Sequence, residues 1–196
     1  MQIGNIPSAA RCSEAQEGSI IVALLPVPYK SKSLDNKTEK AETQHNALLY
    51  HAVLNLVLDS LRKPARDGVE LDCADGYIRQ CFPILETWIA DFPEQCKVTL
   101  CKQNRCPRCI VPSKLRGEYL AEDEHSRTLA IRESHDVRRR INEGEDVEST
   151  LGIKPWPNAL WFFPRVEVYD LPRTDILHTL LLGMLDHIID WMTVFL

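Results

Sequence analysis

A marked excess of basic charge is missing from this sequence: the formal net charge is −5 over 196 residues. No global field therefore draws the chain to nucleic acid or to a membrane surface, and either partner has to be argued from local residues. Glycine is scarce, with eight residues against twelve prolines, and the hydrophobic share is 44%. Together with the lack of any internal repeat, this excludes collagen-like, low-complexity and wholly disordered chains. The C-terminal apolar stretch is not a membrane span, because Asp186, His187 and Asp190 interrupt it where a span of about 20 residues needs none. No basic head followed by an apolar run stands at Met1 to Asn5, so the expectation is an intracellular, reducing compartment. There the seven cysteines serve as thiols or metal ligands, not as a disulfide framework.

What is present reads as a layered α/β chain of one domain or one and a half. Ile20 to Leu25 is a continuous apolar run stopped by Pro26 and Pro28, the pattern of a strand covered on both faces. Tyr29 to Thr43 is polar and aperiodic, which predicts an exposed loop or the ramp into a helix. From Ala47 to Arg62, Tyr50, Leu54, Val57, Leu58 and Leu61 recur at helical spacing, and Leu48, Leu49, Val53 and Leu56 widen that face. What is left is a narrow polar stripe of His51, Asn55, Asp59 and Arg62, which predicts a solvated histidine on a helix packed against a sheet. Pro64 to Gly68 is expected to break this helix. Val69 to Cys73 and Tyr77 to Phe82 then form a predicted hairpin around Ala74-Asp75-Gly76. Further on, Lys114 to Glu148 is dominated by charge and predicts a helical insertion with Arg138-Arg139-Arg140 near its end. In the proline-punctuated aromatic loop from Trp156 to Tyr169, a short strand is open to Ala159 to Phe163. A closing amphipathic helix is expected behind a Thr174 N-cap, burying Ile176, Leu177, Leu180, Leu181, Met184, Leu185, Ile188, Ile189 and Met192.

Three places carry side chains suited to chemistry. Asp91 follows the apolar Trp88-Ile89-Ala90, where an ionised carboxylate is costly unless something pairs with it, and this makes it a candidate site residue. Cys106-Pro107-Arg108-Cys109 has the spacing that lets two thiolates occupy adjacent corners of a tetrahedral zinc. Cys96, Cys101, His125, His135 and His178 are available as further ligands. Inert thiols fit the same spacing, and so does a redox pair, which requires a strand-to-helix turn. Asp175 and His178 stand three apart on one helical face, and helical geometry predicts the imidazole in the interior beside the sheet end that carries Asp91. The plain alternative is an acid satisfying the helix dipole next to a buried, satisfied histidine.

The succession Ile3-Gly4-Asn5-Ile6, Asp75-Gly76-Tyr77-Ile78-Arg79, Ile89-Ala90-Asp91-Phe92-Pro93-Glu94-Gln95, Cys106-Pro107-Arg108-Cys109 and Asp175-Ile176-Leu177-His178-Thr179-Leu180-Leu181-Leu182-Gly183 resembles the Plavaka family of fungal transposases. That family is related to the CACTA (EnSpm) cut-and-paste group, and the resemblance runs in order over nearly the whole chain. It implies a ribonuclease-H-like core in which three acids hold two divalent metals, magnesium or manganese, for phosphodiester cleavage and strand transfer at transposon ends. It implies that Asp91 is the second of those acids. Cys106 and Cys109 match the family's Cys-x-x-Cys, and Asp175 with His178 matches its Asp-x-x-His; a structural role is implied for these four, with zinc on Cys106, Cys109 and His178. DNA is the implied partner and the nucleus the implied location. In the family the first acid precedes the Ile3-Gly4-Asn5 segment and the third lies on a later helix, so the chain is expected to be a middle fragment, inactive alone. Lys114 to Arg116 and Arg138 to Arg140 then serve as phosphate contacts or simply as solvated charge.

These readings combine into an α/β fold. A partial ribonuclease-H-like (DDE transposase) core with the zinc knuckle is expected over residues 1–113, a charged helical insertion over 114–152, and an aromatic, proline-rich loop with a core helix over 153–196. The alternative to a transposase fragment is a domesticated, non-catalytic zinc-knuckle module that binds DNA or protein.

Overall fold

The computed structural model describes residues 1–2, 7–11, 13, 19–25, 35–111, 114 and 132–195. The Ile3-to-Ile6 motif, Pro26, Pro28, Arg116 and His125 lie outside the described residues. The chain divides into two compact units, Met1–Glu86 and Thr87–Leu196.

The first unit opens with a single helical turn, α1 (Ser8–Arg11), and an isolated antiparallel bridge between Gln2 and Ser19. Beyond that bridge, Ile20 to Leu25 forms no strand, and Ile21 and Leu24 are 84% and 88% exposed. The run has the hydrophobicity of a doubly covered strand. Among the described residues, however, no strand pairs with it along its length, and without a ladder an extended segment has nothing to hold it in a sheet.

Helix α2 (Asn36–Val57) begins well before the predicted Ala47. The Asp35 side chain accepts the Thr38 N–H at 3.1 Å and Glu39 stands in the first turn, so cap and dipole start the helix where no apolar period announces it. Lys, Glu, Ala and Gln, all good helix formers, then carry it through the polar stretch assigned to a loop. His51 is buried, not solvated, and shares the inward line with Leu54 and Leu58, while Leu48, Leu49 and Leu56 are exposed. Apolar residues surround most of this helix, so periodicity alone does not say which line turns inward; burial selects the one through His51. The break falls at Leu58 (φ −95°, ψ 2°), and Pro64 lies inside the next helix, α3 (Asp59–Asp67). Proline forfeits one hydrogen bond there, but its fixed φ is helical, so it does not end the element. Gly68, at φ 82°, does so: its N–H reaches the Pro64 carbonyl at 2.9 Å, and a Cβ would meet the Gln80 side chain at 2.8 Å.

Strands β1 (Val69–Asp72) and β2 (Ile78–Cys81) pair antiparallel, from Val69 opposite Cys81 to Asp72 opposite Ile78. The Asp75 carboxylate accepts the Tyr77 N–H at 3.3 Å and grips the Arg79 guanidinium at 2.7 and 2.6 Å. Asp75 therefore acts as the turn residue of the expected hairpin.

In the second unit, β3 (Trp88–Ala90) pairs in parallel with β4 (Pro172–Thr174). Between them come α4 (Phe92–Thr99), α5 (Ser134–Asn142) and α6 (Val147–Thr150). Cys96, Cys101, Val137, Ile153 and Tyr169 form the core, with Ile141, Leu151 and Trp161 packed against it. Leu100, in the left-handed region at φ 57°, ends α4 and turns the chain so that Cys101 bridges to Ile153. Ala159–Phe162 is a tight 3-10 turn instead of a strand. Buried Asn158 sets it, accepting the Leu160 N–H at 2.9 Å and donating to the Val98 carbonyl at 2.7 Å. After β4, a π-helical segment Leu177–Leu185 continues into α7 (Asp186–Phe195). The apolar face expected to be buried is exposed, Leu177 at 52%, Leu181 at 46% and Ile188 at 40%. Its residues encircle the helix, and no described element covers them. No described helix is long and apolar enough to cross a membrane. The mixture of helices with two small sheets agrees with the α/β class.

Candidate functional site

The segment Ala90-Asp91-Phe92-Pro93-Glu94-Gln95 builds the edge on which the first candidate stands. Asp91 leaves β3 with extended backbone and caps α4, its Oδ1 accepting the Glu94 N–H at 2.8 Å. Pro93 occupies a first-turn position where its missing N–H costs nothing. Glu94 accepts the Trp88 indole N–H at 3.4 Å. Gln95 is buried, and its amide nitrogen donates to the Ala90 carbonyl at 2.8 Å and to the Arg173 carbonyl at 3.1 Å. One side chain thereby ties the ends of both strands together. Ala90 lies opposite Thr174 in the parallel register, so Asp91 and Asp175 are the next residues on two neighbouring strands. The pairing cost assigned to Asp91 is met here by a helix N-terminus, which favours an anion without any cation.

Asp175, and not Thr174, heads the C-terminal helix: Thr174 ends β4, while Asp175 Oδ1 accepts the His178 backbone N–H at 2.7 Å. Its other oxygen lies 2.7 Å from His178 Nδ1. The backbone N–H of His178, and after it the imidazole, hold the Asp175 carboxyl below the usual carboxylate range. His178 itself is solvent-facing, its side chain 55% exposed, so the expected interior placement is overturned. The imidazole finds its partner one turn back at the surface, where burial is not needed to make the pair.

A backbone-to-sulfur hydrogen bond closes the Cys106–Cys109 segment. The Cys109 N–H points to Cys106 Sγ at 3.4 Å, and the Val111 N–H approaches the Cys109 sulfur. Burial pushes the Cys109 thiol up, opposed by that N–H and by the positive charge of Arg132. Among the described residues directly after the pair, Ile110 and Val111 are non-helical. The Cys106 carbonyl accepts from Cys101 Sγ at 3.3 Å and from the Arg132 guanidinium. All six described cysteines are free thiols.

A family model described as Plavaka transposase matches residues 1–192. The chain belongs to the Plavaka transposase family. No curated protein and no solved structure matches it. Membership in a transposase family implies a DNA substrate and, in general, dependence on divalent metal. Among the described residues, no cluster of three or more His, Cys, Asp or Glu is placed to hold a metal ion.

The arginine run has a local employment in this family member. Arg139 bonds Asp136 and Glu143, Arg140 bonds Asp136 and Glu145, and Arg138 lies 5.7 Å over the Trp161 ring. These contacts favour the solvated-charge reading over phosphate binding. Sequence reasoning missed two residues that shape the second unit. Glu167 reaches across to cap α5, accepting the Ser134 N–H at 3.0 Å and its hydroxyl at 2.6 Å. Arg132, one charge among many between Lys114 and Glu148, is buried. The Asp-x-x-Glu spacing at Asp91 and Glu94, with Pro93 between them, was a legible capping signal.

Proposed function

We propose that the chain is part of the catalytic core of a cut-and-paste DNA transposase acting on transposon ends in the nucleus, within a ribonuclease-H-like fold. In this reading Asp91 supplies one metal-binding carboxylate and Cys106 with Cys109 holds a structural zinc. The observation that supports the first assignment is the β3–β4 register: Ala90 lies opposite Thr174, so Asp91 and Asp175 each follow directly on the C-terminal end of a parallel strand pair, the usual location of sites in such sheets. The described residues do not by themselves fit a two-metal centre. Two carboxylates face that edge, each already bonded to a helix-terminal N–H, and both helix dipoles favour the anion over an added cation. The remaining acids of a working centre belong outside the described residues. At the knuckle the two sulfurs, with the N–H bond to Cys106 Sγ, supply one pair of corners of a tetrahedral zinc, and no cluster of three or more ligands stands there among the described residues. Zinc there cross-links the turn without taking part in phosphodiester chemistry.

Manganese titration of the full chain tests the carboxylate reading. Paramagnetic broadening of backbone amide signals is expected to centre on Asp91 and Asp175 at millimolar ion, and Asp91→Asn should abolish it. Broadening spread evenly over surface acids, unchanged in that variant, would refute the assignment. A non-catalytic zinc-knuckle module is the second reading, favoured by the capping role of Asp91; bound zinc with no manganese effect at this edge would select it.

A further inference from the structure

We infer that Lys102, Arg105 and Lys154, with the Trp156 ring, form a surface of the second unit that grips the phosphodiester backbone of DNA. The inference rests on the DNA reading above and says where this unit meets that partner. Cys101 and Ile153 pair across an antiparallel bridge and both belong to the core. Alternation along an extended chain then turns their neighbours Lys102 and Lys154 outward on one face. Two backbone bonds fix the segments there, from the Lys102 N–H to the Gly152 carbonyl at 2.8 Å and from the Lys154 N–H to the Leu100 carbonyl at 2.9 Å. Gly152 has no side chain, and the Arg105 stem lies where its Cβ would be, so a third cation is drawn to the same bridge.

This surface differs from the other charged parts of the chain in how its cations are paired. The guanidinium groups of Arg66, Arg79, Arg108 and Arg139 are each bonded to an acid. Lys154 and Arg105 form no ion pair among the described residues: the Lys154 ammonium lies 4.6 Å over the Trp156 ring, and the Arg105 guanidinium donates to the Ser149 carbonyl at 3.4 Å. Two carboxylates stand near, Glu148 at 2.9 Å from Lys102 and Asp146, which accepts the Ser149 N–H at 3.0 Å. Three cations against two acids leave a local positive surplus in a chain whose formal net charge is −5. Burial lowers the pKa of the half-buried Lys154 ammonium; Glu148 opposes this and Lys102 adds to it. Keeping the charge there costs free energy that an arriving phosphate oxygen offsets, while the indole face holds the ammonium in place. Helix α4, 8 residues long, runs from Asp91 to this surface. Its length of about 12 Å, at about 1.5 Å per residue, equals between three and four base-pair rises of about 3.4 Å, so a duplex engaged at Asp91 carries further phosphates at that separation.

Fluorescence anisotropy of the full chain with a labelled mixed-sequence duplex of about 20 base pairs, between about 50 and 200 mM salt, tests this. Lys154→Gln and Arg105→Gln are each expected to weaken binding about threefold to tenfold at the low-salt end and to flatten the slope of log affinity against log salt by about 0.9, one phosphate contact. Arg139→Gln, whose guanidinium is bonded to Asp136 and Glu143, should leave the slope alone. The Trp156 indole signal in NMR, assigned by its loss in Trp156→Phe, should shift when the duplex is added. A wild type that does not bind the duplex overturns the DNA reading and this inference together, whatever manganese does at Asp91. Slope and affinity unchanged in both variants, each folded by circular dichroism, overturn the inference alone, and so does an equal loss in Arg139→Gln. If Lys154→Gln does not fold, Arg105→Gln decides: a wild-type slope refutes, a flatter one supports.

Discussion

Replacing Gln95 with Leu removes two hydrogen bonds from the C-terminal ends of β3 and β4 while nearly conserving volume. The amide is 4% exposed, and its nitrogen spans the Ala90 carbonyl at 2.8 Å and the Arg173 carbonyl at 3.1 Å. At roughly 0.5–1.5 kcal/mol net per bond, Gln95→Leu should cost about 1–3 kcal/mol, since water does not replace the lost donor at a buried position. Gln95→Glu sharpens the reasoning. Its carboxylate would face two carbonyl oxygens, so the folded state raises its pKa above the unfolded value of about 4.3. Such a group is harmless below the unfolded value and costs stability progressively as pH rises through the folded value, about 1.4 kcal/mol at neutral pH for each unit of elevation. Urea unfolding followed by tryptophan fluorescence between pH 4 and pH 8 measures both effects. A Gln95→Leu variant within about 0.5 kcal/mol of wild type, together with a Gln95→Glu deficit that does not grow with pH, would show that the two strand ends are not held through this side chain.

Two further expectations follow from local geometry. The Asp175 carboxyl should titrate below the usual range by NMR and move upward in His178→Ala, yet stay depressed because the backbone N–H remains; an unmoved value would remove the imidazole from the pair. The same variant should leave the unfolding midpoint nearly unchanged, since the histidine is exposed. Gly152→Ala should destabilise by about 1–2 kcal/mol, because the residue sits at φ 70° and a Cβ would lie 2.4 Å from Arg105 Cγ. Thermal unfolding checks it, and a wild-type midpoint would mean that the Arg105 stem moves aside freely.

Features whose partners lie close in the chain were legible in the sequence. The hairpin around Asp75 depends on a turn acid and a glycine within a few residues, and it forms around the expected turn. The Cys-x-x-Cys turn depends on four residues, and its N–H to sulfur bond is present. By contrast, Ile20 to Leu25 and the helix from Leu177 show that an apolar pattern states a preference for burial without naming what does the burying. Both segments carry an apolar pattern suited to burial and both are exposed. His51 errs in the opposite direction for the same reason: on a helix apolar almost all round, the inward line is set by tertiary packing and not by the pattern.

The candidate edge is the intermediate case. Asp91 can be picked out because a carboxylate after Trp-Ile-Ala needs a partner, and the structure supplies one in a backbone N–H three residues on. Asp175 was singled out only as half of a pair with His178. That the two acids are neighbours follows from Ala90 lying opposite Thr174, and nothing local predicts this pairing. Pro172-Arg173-Thr174 has neither β-branched density nor alternation, so it reads as loop until Trp88-Ile89-Ala90 supplies the ladder. Gln95 links positions 78 apart in sequence when it reaches the Arg173 carbonyl, and Arg132 links Cys106 to Leu151. Such bridging residues are invisible to periodicity because a polar side chain chosen for two distant carbonyls leaves no mark on its own helix or loop. The acids and thiols of the candidate site can thus be named from the sequence, whereas the buried polar groups that hold them in place emerge only once the chain is folded.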